Sequence, residues 1–150
     1  MNSEYPTLRQ FFDFVVLATL MAVLAFLGWS LVTIDQSAAN IANRGTSFGL
    51  LLTMTVFLGW PIWGSILLFG LFPGRFVFVF VCDTLRHLPF GRNGSTLIAA
   101  AAVAVSSWFL SALIFSTSSS KAGLFESLFL LQFGVPAAMI AAWIALPKPE

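Results

Sequence analysis

The sequence predicts an all-α polytopic membrane protein: a four-transmembrane-helix bundle with an amphipathic interfacial helix between the second and third helices. Three observations predict it. Four apolar stretches, at residues 14–34, 48–72, 97–115 and 124–146, run 19–25 residues each, and at about 1.5 Å per residue each covers a hydrocarbon core of about 30 Å. No Asp, Glu, Lys or Arg stands in the middle of any of them. Of the 150 residues, 59% are hydrophobic and 9% charged, whereas soluble domains carry about 25% charged residues. Mean hydropathy is +0.95. In lipid a chain must satisfy its own backbone hydrogen bonds, so the stretches read as helices. They take up more than half of the chain, which leaves a single integral membrane domain over residues 1–150.

The first stretch exceeds the ~7–15 residue core of a signal peptide, and its leader mixes Glu4 and Asp13 with Arg9. It reads as a retained anchor, although Ser37-Ala38-Ala39 resembles a cleavage site. Ala18, Ala22 and Ala25 give it a small-residue stripe. The polar segment 35–47 reads as a loop with a short helix ended near Gly45. In the second stretch Pro61 stands near the middle, in Gly59-Trp60-Pro61. A proline there removes one intrahelical hydrogen bond and kinks the helix. Trp60 and Trp63 flank it at mid-depth, and a buried indole N–H seeks an acceptor such as a carbonyl freed by the proline.

Pro73-Gly74 reads as the stop of this stretch. The segment 75–88 then reads as the interfacial helix. Arg75, Asp83, Arg86 and His87 fall within about 120° of one another on a wheel of 100° per residue, opposite Phe and Val. Asp83 there meets Arg86 at i+3 and His87 at i+4. Pro89 and Gly91 close the helix. The third stretch carries small residues at helical spacing: Ala100, Ala104, Ser107 and Ser111. The fourth carries Gly134, Ala138, Ala141 and Ala145. Such stripes let backbones approach closely in lipid, where no hydrophobic force drives helices together. The third and fourth helices are therefore expected in contact. Pro136, in Gly134-Val135-Pro136, predicts a second kink.

Asp13 and Glu126 fall near predicted helix N-termini, where the dipole favours negative charge. A proton route between them would step through Gln132, Thr53 and Thr55. Arg9, Arg75, Arg86, Arg92 and Lys148 share one side of the predicted topology, against Arg44 and Lys121 on the other. The positive-inside rule then places both termini in the cytoplasm, in a bacterial inner membrane.

Net charge is +1, so no basic excess points to nucleic acid. Cys82 is the only cysteine and His87 the only histidine. No intramolecular disulfide, zinc pattern or multi-histidine metal site can form from them. No glycine-rich phosphate loop occurs. The chain is therefore expected to be no enzyme, with no catalytic, cofactor-binding or metal-binding residues. The expected function is that of a small non-catalytic accessory or assembly subunit of a larger membrane complex. Its partners would be the lipid bilayer and other membrane subunits or itself. The alternative is a small homo-oligomeric transporter or channel using Pro61, Pro136, Trp60, Trp63 and Glu126. A third reading is a membrane immunity or protective protein.

Overall fold

A computed structural model of the chain describes residues 5–37, 49, 52–53, 60–85, 87, 89, 91–116 and 121–146; at 31, 33–37, 92, 115–116 and 121–130 it describes the backbone alone. Among the described residues the long elements are four helices: α1 (Leu8–Ser37), α2 (Trp60–Leu85), α3 (Gly91–Ser116) and α4 (Lys121–Ala145). In the described residues α1, α2 and α3 contain stretches long and apolar enough to cross a membrane: Leu8–Ser30, Trp60–Leu85 and Asn93–Ile114. The apolar stretch described in α4, Leu131–Ala145, is shorter.

α1 starts earlier than the apolar stretch alone suggests, because Thr7 and Gln10 form a capping box. The Thr7 backbone N–H donates to Gln10 Oε1 at 2.9 Å, and the Gln10 N–H donates to Thr7 Oγ1 at 3.3 Å. Two backbone donors that the helix leaves orphaned are thus satisfied reciprocally. Asp13 consequently lies beyond the first turn of α1, and Glu126 beyond the first turn of α4. Reading both carboxylates as partners of a helix N-terminus is corrected on this point, since the dipole effect fades within that turn.

The larger correction concerns α2. It runs without interruption through Pro73 and Gly74 to Leu85, so residues 75–88 form no separate interfacial helix. Proline at 73 forfeits one backbone hydrogen bond. Breaking the helix there would orphan several groups, which an apolar environment penalises more. Packing also holds the segment in line. Ile66, Gly70, Gly74 and Phe78 form the buried face of α2, and a Cβ at Gly74 would lie 3.0 Å from Val103 Cγ1 of α3. Gly74 does not take the left-handed conformation that ends helices; among the described residues Gly91, with φ of 67°, is the glycine that does.

Among the described residues Pro61 is the second of α2; the residues before it, and with them the expected kink at Pro61, lie outside the described residues. Residues 48, 50–51 and 54–59, the remainder of the predicted second span, lie outside the described residues. α4 runs unbroken through Pro136.

The helices pack in a ring: α2 on α3, α3 on α4, α4 on α1, with a thinner seam closing α1 on α2. Neighbours run antiparallel. Tyr5 at the start of α1 donates to Asp83 near the end of α2. Phe11 and Phe14 meet Phe78, and Phe26 meets Trp63. Along α2 and α3, Gly74 faces Val103, Gly70 faces Ser107, and Ser65 bonds Ser111. Four residues join α3 to α4, too few for any arrangement of packed helices but antiparallel. The first residues of α1, the α2–α3 connection and the end of α4 therefore share one end of the ring.

Candidate functional site

The four helices come closest where glycine removes a side chain. A Cβ at Gly70 of α2 would lie 2.8 Å from Val15 Cγ1 of α1 and 3.6 Å from Ser107 Oγ of α3. A Cβ at Gly134 of α4 would fall on Trp108 Nε1 of α3 and lie 2.9 Å from its Cε2. The Nε1 edge of Trp108 thus sits in the glycine notch, and Trp108 meets Trp63 in a T-shaped arrangement with ring centroids 5.4 Å apart. Around them remains a cavity of about 30 Å³, lined by Val15, Thr19, Gly70, Ser107, Trp108 and Gly134 among others. That is room for one or two water molecules.

The hydroxyls here are already engaged. Thr19 Oγ1 donates to the Val15 carbonyl at 2.8 Å and Ser107 Oγ to the Val103 carbonyl at 2.7 Å. Ser65 Oγ lies 3.0 Å from Ser111 Oγ, joining α2 to α3. Among the described residues no buried side-chain nitrogen or oxygen lacks a partner, and no Asp, Glu, Lys, Arg or His is buried. Two aromatic clusters bracket this centre. Phe11, Phe14 and Phe78 meet at tilted and edge-on angles with centroids 5.6–6.3 Å apart. Toward the other end Phe133 of α4 sits 6.1 Å from Phe26 and 6.0 Å from Trp29 of α1.

The residues singled out in the sequence take these places. Ala100, Ala104, Ser107 and Ser111 are buried on α3, and Gly134, Ala138 and Ala141 are buried on α4. They are spent inside the ring, where α3 meets α2 and α4. Trp63 is half-buried against Trp108, but Trp60 is 66% exposed, so the two tryptophans do not form one wall. Pro61 is half-buried and Pro136 exposed. The side chain of Glu126 lies outside the described residues. Asp13 and Gln132 are exposed rather than turned to the centre, and exposed Thr53 donates to the Gly49 carbonyl at 2.8 Å. Thr55 lies outside the described residues. The structure brings no proton route together from those described.

Asp83 is exposed, as is His87, which falls in a turn beyond the end of α2. Asp83 accepts a hydrogen bond from the Tyr5 hydroxyl and has no helical i+4 partner in His87; Arg86 lies outside the described residues. Arg75, expected at an interface, stands instead at the sixteenth of the 26 positions of α2, with its side chain exposed.

Two features of the centre carry a sequence signal that the reading above passes over. Gly70 and Gly74 form a G-x-x-x-G pair, the spacing of close helix contacts in membranes; reading Pro73-Gly74 as a stop hides it. Trp108 lies between two small-residue positions, but nothing local reveals that a glycine on another helix receives it. No family model, curated protein or solved structure matches the chain.

Proposed function

We propose that the chain is an integral membrane protein crossing the bilayer four times, and that it serves as a non-catalytic accessory or assembly subunit of a larger membrane complex. The outward faces support the membrane setting. Leu20 and Leu24 of α1, Phe72, Phe76 and Phe80 of α2, Phe109 and Leu113 of α3, and Ile140 and Ile144 of α4 are all exposed. An apolar surface on every helix of the ring suits lipid, whereas soluble monomers rarely expose such patches beyond a few hundred Å².

The observation that carries the subunit reading is the filled axis. Among the described residues Trp108, Phe14, Ile66 and the glycine contacts occupy the centre where a conducting path would run, and the cavity between them measures about 30 Å³. The chemistry such a protein offers is its outer surface, and its small-residue stripes are already used internally. A partner therefore meets the outward faces. The test is a pull-down from native membranes in mild detergent, with native-gel sizing and mass spectrometry. A different protein retained in fixed stoichiometry supports the reading. Its absence, together with ion or metabolite flux in liposomes holding the purified chain, sinks it in favour of transport.

A further inference from the structure

α1 and α2 each carry a charge inside a stretch apolar enough to cross a membrane: Asp13, the sixth residue of Leu8–Ser30, and Arg75, the sixteenth of Trp60–Leu85. Arg75 lies ten residues from the end of α2, about 15 Å along the axis. The two charges occupy one layer of the ring. Phe11 and Phe14 meet Phe78, and Val15 approaches Gly70. Asp13, between Phe11 and Val15, is thereby level with Arg75, between Gly70 and Phe78.

Both side chains are exposed, and among the described residues neither makes a hydrogen bond or an ion pair. Arg9, one turn nearer the start of α1, is also exposed and makes no pair with Asp13. Phe12, Phe72 and Phe76 are exposed beside them, Phe76 by 80%. Apart from Arg9, these exposed neighbours are apolar. Ionisable groups at membrane depth almost always face a partner, and attraction between opposite charges grows as the local dielectric falls.

We propose that this face of α1 and α2 docks a second copy of the chain, with Asp13 of each copy paired to Arg75 of the other. The argument is charge complementarity at matched depth. Two copies inserted the same way place every layer at the same height, and a two-fold axis along the membrane normal makes the contact isologous. One acid and one base per copy then answer each other twice. A different protein would have to bring both a base and an acid to that height. Among the described residues the α1–α2 seam is also the thinnest in the ring. The dimer rests on the membrane reading above but not on the subunit reading: a heterologous partner found without self-association removes the dimer and leaves the subunit reading standing.

The experiment uses the full chain in phosphatidylcholine–phosphatidylglycerol vesicles, with donor or acceptor dyes on a C-terminal tag and energy transfer measured against the protein-to-lipid ratio. Wild type is expected to transfer energy well above random collision. Asp13→Lys alone and Arg75→Glu alone should each weaken self-association by about tenfold or more, since each places like charges opposite one another. Mixing the two variants should restore wild-type transfer, because the reversed acid of one meets the reversed base of the other and the native pair survives at the second contact. An ion pair within one protomer could not be rescued by mixing. Circular dichroism of each variant checks that it is folded. Wild-type transfer at the collisional level, single variants that associate like wild type, or folded variants that stay apart when mixed would each overturn the proposal.

Discussion

Gly134 shows how one missing methyl group sets the centre of this protein. Its hydrogen leaves the space that the Trp108 ring occupies, and Trp108 is only 4% exposed, so the ring has little room to retreat. Gly134→Ala should lower stability by about 1–3 kcal/mol, the usual cost of overpacking a core. Thermal unfolding in mild detergent, followed by near-UV circular dichroism, reads this directly. Combining it with Trp108→Phe should cost less than the sum of the two, because the smaller ring frees the notch; strict additivity would show that the two residues are not coupled. At the other end of the scale, Thr7→Ala removes half of a capping box and should cost about 1 kcal/mol, with faster hydrogen exchange over the first turn of α1.

At the scale of an element, α2 is where local rules and packing disagree. Proline followed by glycine is a strong local stop signal, yet α2 continues for eleven residues beyond Gly74. Its buried glycines meet Val15 and Val103 across two helix interfaces, which holds the segment in line. Pro73→Ala is therefore expected to leave the fold intact and stability unchanged or raised, since it restores one helical hydrogen bond. A loss of helix content by far-UV circular dichroism would show instead that the chain needs a break at this point. Gly74→Leu, by contrast, should separate α2 from α3 and unfold the protein at lower temperature, since its Cβ alone already reaches tight contact with Val103.

For the whole molecule, the ring places the start of α1, the α2–α3 connection and the end of α4 together. Reporter fusions at the two termini should give the same sidedness, and the positive-inside count predicts that this side is cytoplasmic. With α2 extended, Arg75 leaves the loop side of that count and enters the span, which narrows the difference to four basic residues against two. Opposite sidedness of the two termini would mean that one helix does not cross.

The helical character and the apolar stretches of α1 and α3 are legible in the chain itself, and that of α2 in part, since the stretch read as 48–72 runs on to Leu85. Both depend on local quantities: the length of an apolar run and the need of each backbone group for a partner nearby in sequence. Small residues at helical spacing likewise mark a face by themselves. The capping box at Thr7 and Gln10 and the Gly70–Gly74 pair were also present to be read, but apolar run length and a turn dipeptide pointed elsewhere. Only the tertiary structure decides which helix each face meets, that Trp108 fills the notch at Gly134, and that α2 passes through Pro73. These outcomes turn on close approach between residues up to tens of positions apart, and no local pattern records that distance. The position of Arg75 follows from the same cause: the packing of Gly70 and Gly74 carries α2 onward, and the charge goes with it.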